Sequence, residues 1–380
     1  MSSAIIIRNG TIIDPSLGLN GRYDLRISGG IVEGLYRPGE GQTADGAPAA
    51  RELDAAGCIV TPGWIDLHAH VYPQRAVLGI EADRVGVEQG VTTVADAGSA
   101  GSAYYREFAD EVAAASRTEV LAWLNIAEQG LCEDRGELAD LSRLSVERTV
   151  ELALAEPGII GIKARMSGSV IRHNGLRPLE IAKEASRAAG VPVMVHIGNA
   201  PPRLGDVLDL LEAGDVVTHA FHGKAGGMFD DGGRLISEGV AALARGVRFD
   251  LGHGSASFSF RTMKAALAEG LGGYTISTDI YRQNYADGPV YSLAVTMSKL
   301  LALGVPLDSV VGAVTSLPAS VLGRAGRLGT LRTGTIGDVT IVRLADKPVS
   351  FIDAEGERMS GESILEPVWT VKGGEVYPCL

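Results

Sequence analysis

Residues 62–70 read PGWIDLHAH, an apolar run that ends in two histidines. Because side chains alternate between the two faces of a β-strand, His68 and His70 point the same way and can hold one metal ion together. A His-x-His pair alone is a modest signal, since two histidines on one strand face also occur without a function. The signal is strengthened by four further polar residues that end or lie within separate apolar runs: Lys163, His196, His219 and Asp279.

Eight such apolar runs alternate with amphipathic stretches along the middle of the chain. They cover residues 59–71, 91–98, 119–127, 159–166, 191–198, 215–221, 248–254 and 274–280. Most are rich in Val, Ile and Leu without strict alternation, which is typical of parallel strands covered on both faces. Eight strand–helix units predict an α/β fold, a (β/α)8 TIM barrel, whose catalytic residues lie at the C-terminal strand ends. An open doubly wound sheet is the alternative, but no Gly-x-Gly-x-x-Gly turn follows the first run.

Both ends of the chain look different from the middle. Short alternating apolar segments separated by Asn-Gly and Gly-Gly turns, the signal of β-hairpins, occur before residue 58 and after residue 329. They predict one small β-sandwich formed by both termini, from residues 1–58 and 329–380. The barrel, residues 59–328, is then inserted between the two pieces.

Composition limits the cellular location and the classes of partner that can be expected. The formal net charge of -12 argues against nucleic acid or an anionic membrane as a partner. No apolar run reaches membrane-spanning length, and the N-terminus lacks a charged region and a cleavage site for export. The three cysteines, Cys58, Cys132 and Cys379, are few and share no metal spacing. A reduced, cytoplasmic enzyme that acts on a small molecule is expected.

The polar residues at the strand ends suit a pair of divalent metals. Such a pair, held about 3.5–4 Å apart, needs nitrogen ligands and an anionic group that bridges the two ions. His68, His70 and Asp279 can hold the first metal, and His196 and His219 can hold the second. The bridging anion is the missing part.

Lys163 supplies a candidate for that bridge. It ends the otherwise apolar run 159–166, and a buried, unpaired ammonium is costly. Desolvation and nearby dications lower the pKa of such an amine, and a neutral amine can add carbon dioxide to form an anionic, bidentate carbamate. The alternative is a structural ion pair, with Asp96 as the partner.

These motifs together resemble the amidohydrolase superfamily. The matching segments are Pro-Gly-x-Ile-Asp-x-His-x-His at residues 62–70, Lys163, Val195-His196, Thr218-His219 and Ser277-Thr278-Asp279. The set is similar to the binuclear subtype with a carboxylated lysine. Residues 87–101 and 284–290 are further similar to the amidohydrolase/deacetylase branch near the dihydroorotases. The resemblance covers essentially the whole chain.

The resemblance implies a hydrolase that cleaves an amide or ester bond of a small carboxylate-bearing substrate. Deacetylation of N-acetyl-(D-)amino acids or of O-acetyl-2-hydroxy acids of the acetyl-mandelate type is expected, by a hydroxide that bridges the metals. Asp279 would be the catalytic proton carrier. Zinc is the expected metal, although nitrogen and oxygen ligands also bind manganese, iron or cobalt.

Two other functions stay open. A cyclic amidohydrolase of the dihydroorotase or hydantoinase type would use the same metals, and only the pocket loops would distinguish it. A non-enzymatic amidohydrolase-like protein is the second alternative, although every ligand position is filled here. Association into a homo-oligomer is also expected.

Four residues are predicted to bind the substrate. Arg165 shares a strand face with Lys163, and a guanidinium is the preferred bidentate partner of a carboxylate. A structural ion pair is the competing interpretation of Arg165. His253, between two glycines, follows the seventh run, and Asn284 and Tyr285 lie in a loop after the eighth run that could cover the pocket.

Overall fold

The structure, a computed structural model, describes residues 4–40 and 50–380. The described N-terminal part consists of short strands joined by tight turns. In chain order they are β1 (Ile5–Arg8), β2 (Thr11–Asp14), β3 (Leu19–Arg22), β4 (Asp24–Ser28), β5 (Ile31–Tyr36), β6 (Arg51–Asp54) and β7 (Ile59–Pro62). Their apolar residues pack into a core of their own with residues from the C-terminal end of the chain, among them Val339 and Val371.

The middle of the chain forms a parallel sheet of seven strands in sequential order. They are β8 (Trp64–Ala69), β9 (Val91–Gly101), β10 (Glu119–Asn125), β11 (Ile159–Met166), β12 (Val193–Ile197), β13 (Val216–Thr218) and β14 (Arg248–Asp250). Residues 274–280 close the sheet, because Thr275 forms a parallel bridge to Asp250 and Ile280 forms one to Ala69. The predicted (β/α)8 barrel is confirmed.

The C-terminal strands return to the N-terminal ones. They are β15 (Val339–Ile352), β16 (Arg358–Lys372) and β17 (Glu375–Pro378). One sheet has the order β5-β4-β1-β6, and a six-stranded sheet has the order β17-β16-β15-β7-β2-β3. Both ends of the chain therefore share a sheet domain, as expected, while the exact limits proposed for the two domains stay a prediction.

The apolar run 59–71 is divided between the two sheets. Strand β7 pairs with β15 and β2, and β8 belongs to the barrel. The break falls at Gly63, whose N–H donates to Asp338 O at 2.8 Å. A Cβ on Gly63 would lie 2.3 Å from Thr92 Oγ1, so the chain can turn between the sheets only because this residue is glycine.

Helices cover the outside of the barrel. They are α1 (Ala82–Val85), α2 (Tyr105–Phe108), α3 (Val146–Ala155), α4 (Gly168–Ile171), α5 (Arg177–Ala189), α6 (Leu204–Asp209), α7 (Ser237–Ala244), α8 (Phe260–Ala268), α9 (Arg282–Ala286), α10 (Leu293–Ala302), α11 (Leu307–Val314) and α12 (Ser316–Val321). Ser145 caps the start of α3, since its side chain accepts from Arg148 N, and Gly190, in the left-handed conformation, follows the end of α5. No helix of the described residues has the length and apolar character needed to cross a bilayer.

The barrel interior is apolar at one end and polar at the other. An inner cluster of buried residues, including Leu67, Leu121, Trp123 and Met194, packs against α12 residue Ala319. Trp123 Nε1 donates to Leu67 O at 3.1 Å, so the one polar atom of this large ring is satisfied. The polar side chains are left at the opposite end, where the strands finish.

Candidate active site

Three histidines meet one carboxylate at the C-terminal end of the barrel. His68 and His70 leave the end of β8, and both are buried. Asp279 Oδ1 lies 3.3 Å from His68 Nε2 and 3.2 Å from His70 Nε2, and Asp279 Oδ2 lies 4.0 Å from His219 Nε2. Ligand atoms of His68, His219 and Asp279 all lie within 4.8 Å of one another. The strand ends thus bring four predicted metal ligands to one point.

Hydrogen bonds from the ring nitrogens that face away from this point fix the ring orientation of two histidines. His219 Nδ1 donates to Gly252 O at 2.6 Å. Thr218 Oγ1 donates its proton to Asp250 Oδ2 at 2.7 Å and therefore accepts from His68 Nδ1 at 2.8 Å. Both rings carry their proton on Nδ1, which leaves each Nε2 as an acceptor directed into the site.

Acceptors that face each other need a cation between them. His68 Nε2 and Asp279 Oδ1 are 3.3 Å apart, and neither carries a proton in this arrangement. His219 Nε2 is buried and has no hydrogen-bond partner among the described residues. Burial lowers the pKa of His68 to about 3, so its ring is neutral near pH 7. The residues present fit a divalent metal.

His196 extends the cluster on a neighbouring strand. It lies in β12, and its ring centroid is 4.4 Å from that of His219. Burial holds the pKa of His196 well below its usual range, so this ring is neutral as well. The pair His196 and His219 can therefore serve as ligands beside the group formed by His68, His70 and Asp279.

Two of the candidate ligands are held in unusual backbone conformations. The φ angles of His219 and Asp279 are +67° and +49°, in the left-handed region that favours glycine. Asp279 N donates to His68 O at 2.7 Å, which fixes this turn against the first barrel strand. Strain of this kind is found where a structure must aim a side chain precisely.

Lys163 lies in the C-terminal half of β11, among these residues. Its side chain is 1% exposed, and its Nζ has His68 Nε2 and Met194 Sδ as neighbours, each at 3.3 Å. Burial lowers the pKa of Lys163 to about 7. The alternative ion pair with Asp96 is not formed, because the Asp96 carboxylate accepts from the backbone N–H groups of Val71 and Ser99.

Buried carboxylates behind the ligands hold the strand ends in place. Asp250 accepts from the hydroxyls of Thr218, Thr275 and Ser277 at 2.6–2.7 Å. Asp66 accepts from Thr278 N and Thr278 Oγ1, and burial raises the pKa of Asp66 to about 7. These supports were not among the predictions from the sequence. An available signal was that Asp66 shares the strand face of His68 and His70.

Five of the candidate ligands form the floor of a cavity of about 200 Å³: His68, His70, Lys163, His196 and Asp279. Its walls include Leu78, Leu131, Arg135, Arg165, Ser167, Ser169, Asn199, Lys224, Ser255, Ala256, Ser257 and Tyr281. Ligand sites usually measure about 300–1,000 Å³, so this space suits a small substrate. Ser255 Oγ and Tyr281 Oη are hydrogen-bonded at 2.7 Å on one wall.

Arg165 is the predicted substrate contact that lines this cavity. Its Nη1 donates to Glu137 Oε2 at 3.0 Å and Glu137 is fully buried, so Arg165 both makes an ion pair and faces the cavity. The two interpretations offered by the sequence are therefore compatible.

The other three predicted substrate contacts lie outside the cavity lining. His253 is fully buried, and its Nε2 accepts from Lys299 Nζ at 2.7 Å. Asn284 donates to Asp279 O and accepts from Tyr281 N, which caps α9. Tyr285 Oη accepts from Arg84 Nε at 3.3 Å. A substrate contact by these residues stays a prediction that their present positions do not favour.

Several cavity residues were missed by the sequence argument. Arg135 and Lys224 lie in loops without apolar periodicity, and Tyr281 follows Asp279 by two positions. The signal available for Lys224 was its place in the glycine-rich loop after His219. Nothing local in the sequence distinguishes Arg135 from a solvated loop arginine.

Comparison with known proteins gives relatives along most of the chain. A protein of Enterococcus faecalis named deacetylase is 40% identical over 324 residues, which are 84% of this chain and 87% of that protein. A deacetylase of Agrobacterium fabrum is 38% identical over 333 residues, 87% of this chain and 81% of that protein. No protein-family model matches the chain.

Solved structures are similar over the full length. A crystal structure described as an adenine deaminase is 35% identical with a TM-score of 0.91, and covers 99% of this chain and 100% of its own. A crystal structure described as a dihydroorotase is 34% identical with a TM-score of 0.89 and covers 99% of both chains. Both the barrel and the terminal sheets are shared with these proteins.

Proposed function

The chain belongs to the amidohydrolase superfamily, in the deacetylase branch near the dihydroorotases, and on this premise we propose that it deacetylates small carboxylate-bearing acids. It is a metal-dependent hydrolase that acts on C–N bonds. We propose N-acetyl-(D-)amino acids and O-acetyl-2-hydroxy acids of the acetyl-mandelate type as its substrates. The observation that carries the proposal is a small cavity with histidine acceptors and Asp279 in its floor and Arg165 in its wall.

We propose that the site takes two divalent ions, with zinc as the expected metal. His68, His70 and Asp279 would hold one ion, and His196 and His219 would hold the other. The Nε2 atoms of His68 and His219 support this donor set, because both face the site and carry no proton. Bound divalent ions would generate a nucleophile from water at neutral pH and polarise the scissile carbonyl.

We propose that Lys163 carries the bridging anion as a carbamate. The neutral amine adds carbon dioxide, a nitrogen–carbon bond forms, and one proton is released to solvent. Its lowered pKa makes the neutral amine available near pH 7, and the side chain has no carboxylate partner among the described residues. A carbamate would supply the negative charge that a group of neutral histidines lacks.

Asp279 is the residue that moves protons in this proposal. Its carboxylate lies at the floor of the cavity, with the side chain 15% exposed. It would accept a proton from the attacking water and pass it to the leaving nitrogen or oxygen. Its fixed position, held by the backbone bond to His68 O, limits this transfer to one place in the cavity.

Arg165 orients the substrate in the same proposal. The ion pair with buried Glu137 holds the guanidinium in place, and its remaining N–H groups can bind a substrate carboxylate. A fixed carboxylate places the acyl group of a small acid over the floor of the cavity. Association of identical copies and a cytoplasmic location stay predictions from the sequence.

A cyclic amidohydrolase is the second candidate, favoured by the similarity to a dihydroorotase structure. Both candidate functions would use the same residues at the floor of the cavity. They differ in the substrate that the wall residues would bind. The test is the metal content of the purified protein together with turnover of N-acetyl-D- and L-amino acids, acetylated 2-hydroxy acids, dihydroorotate and hydantoin.

Each result of this test has one meaning. About two metals per chain and turnover of a chiral acetylated acid are the expected result. Turnover of the cyclic amides alone would replace the proposal with the second candidate. No bound metal and no turnover of any compound would contradict both and favour a non-enzymatic role.

A further inference from the structure

A second cavity lies beside the first and shares part of its wall. It measures about 550 Å³ and is lined by Asp134, Arg135, Gly136, Ala139, Arg165, Ser169, Val170 and Arg172. We call it the outer cavity and the catalytic one the inner cavity. Arg135, Arg165 and Ser169 line both, so a ligand can extend from one into the other.

The outer cavity is rich in positive charge. Of its three arginines, only Arg165 has a carboxylate partner in the part of the chain that the structure describes, the buried Glu137. Arg135 and Arg172 are exposed, and neither makes an ion pair or a side-chain hydrogen bond within residues 4–40 and 50–380. The single acid in the lining, Asp134, is exposed and accepts from Gly136 N. In a chain of net charge -12, this local excess of cations is not explained by composition.

Arg172 is also held in an unfavourable backbone conformation. Its φ and ψ angles are +54° and −109°, outside the regions that residues other than glycine usually adopt. Because the Arg172 side chain is exposed, packing of this side chain does not explain the unfavourable backbone conformation. Strained residues cluster at ligand sites, where the position of a side chain matters more than the local energy.

We propose that the outer cavity is a subsite for a second anionic group of the substrate, a carboxylate or a phosphate. The first carboxylate binds at Arg165, and the second group binds between Arg135 and Arg172. The preferred substrates are then acetylated acids with two anionic groups, such as the acetyl derivatives of dicarboxylic or phosphorylated amino acids. This inference rests on the proposed deacetylase function and narrows its substrate class.

Turnover measurements with the metal-loaded enzyme test the preference. N-acetylglutamate and N-acetyl-O-phosphoserine are compared with N-acetylalanine, each in both enantiomers. The expected result is a kcat/KM at least about tenfold higher for one of the dianionic compounds, because a charge-assisted hydrogen bond is worth that much or more. The two dianionic compounds distinguish a carboxylate from a phosphate as the second group.

Variants of the two arginines test whether the preference for dianionic substrates arises in the outer cavity. Arg172→Gly removes the guanidinium and suits the positive φ, so the fold is not put at risk. Arg135→Ala removes the other free guanidinium. Each is expected to lower kcat/KM for the dianionic substrate about 10- to 100-fold more than for N-acetylalanine, mostly through KM, because the second group lies away from the reacting bond.

A matched control comes from the opposite end of the barrel. Arg327 is exposed and has no ion pair among the described residues, and the nearby Arg324 pairs with Glu119 at the start of β10. Arg327→Ala removes one positive charge from the same protein without touching the cavities. Equal changes in this variant and in Arg135→Ala would indicate a general charge effect and overturn the subsite.

A binding measurement separates this inference from the proposed function. Calorimetry with succinate and propionate does not depend on turnover. Succinate is expected to bind more tightly, with an affinity that falls with added salt and in Arg172→Gly. If acetylated acids are not hydrolysed but succinate binds in this way, the proposed function fails and the subsite stands. If they are hydrolysed and succinate binds no better than propionate, the subsite is wrong.

Discussion

Lys163 and Lys299, two of the buried lysines among the described residues, lie in different chemical surroundings. Lys163 and Lys299 are each 1% exposed, and burial lowers the pKa of each to about 7. Lys299, on α10, donates to Pro289 O and to His253 Nε2, both at 2.7 Å. Lys163 has His68, a proposed metal ligand, and the thioether of Met194 as its nearest partners, both at 3.3 Å.

The difference lies in the partners and not in the depth of burial. The amine of Lys299 meets a carbonyl and an imidazole that need a donor, so it completes a structural network between two loops. The amine of Lys163 meets a ring nitrogen already directed at the site and a sulfur that is a weak acceptor. The Lys163 amine has longer contacts and meets no carbonyl or carboxylate among the described residues, so we infer that it is available for chemistry, whereas the Lys299 amine is part of the fold.

The largest effect is expected from removing the amine of Lys163. Lys163→Ala should lower kcat/KM at least about 1,000-fold, because losing an anionic bridge removes several kcal/mol of metal-dependent stabilisation. The bound metal should fall in parallel, as measured by elemental analysis of the dialysed protein. Lys299→Met is the matched variant and should keep its metal. Full metal content in Lys163→Ala would show that the two lysines do not differ in this way.

A smaller loss is expected from the hydroxyl that orients a metal ligand. Thr218→Val removes the acceptor of His68 Nδ1 and one donor to Asp250 while keeping the side-chain shape. Loss of such a support typically costs about 10- to 100-fold in metal affinity or activity. Metal titration followed by the rate of deacetylation measures it. Thr149→Val is the control, since the Thr149 hydroxyl has no partner among the described residues.

Lys299→Met should act on stability and only weakly on turnover. The variant leaves His253 Nε2 and Pro289 O without their donor, which costs about 1–3 kcal/mol for each buried polar group. Losing the desolvation penalty of the amine offsets part of this. Unfolding in urea measures the net change in the free energy of unfolding. The kcat/KM of the folded variant should stay within about threefold of the parent protein, a change in activation free energy well below the 1.36 kcal/mol that corresponds to tenfold. A loss of metal in this variant would contradict the structural role.

The pH dependence of stability gives the most specific effect. The pKa of Lys299 is 10.5 in a model peptide and about 7 in the folded protein. Between these pH values the unfolded chain binds one more proton here, so the free energy of unfolding rises with pH across this window. In Lys299→Met this part of the rise, of the order of a few kcal/mol, should disappear. Urea unfolding at pH 7 and pH 10 of both proteins measures the difference, and an unchanged slope would place the titration elsewhere.

The fold, and the meeting of the candidate ligands at one end of the barrel, could be predicted from local patterns. The strand predicted at residues 159–166 is β11, with the same limits, because its apolar run ends where the strand ends. His68 and His70 share a face because strands alternate, and this needs no distant contact. Parallel strands of a closed barrel end at the same side, so the remaining ligands meet them there.

Features that depend on distant contacts could not be predicted. The division of residues 59–71 between two sheets depends on Gly63 meeting Asp338. Lys299 looks like a surface lysine in an amphipathic helix, and only the loops carrying His253 and Pro289 enclose it. The partner of Arg165 is Glu137, from a loop without periodicity. Such contacts decide which residues line the cavity.

Carbon-13 NMR of the metal-loaded protein in labelled bicarbonate tests the contrast between the two lysines most directly. We expect one carbamate resonance that is present in the parent protein and in Lys299→Met and is absent in Lys163→Ala. A resonance lost in Lys299→Met and kept in Lys163→Ala, or no resonance in the fully metallated parent protein, would contradict it.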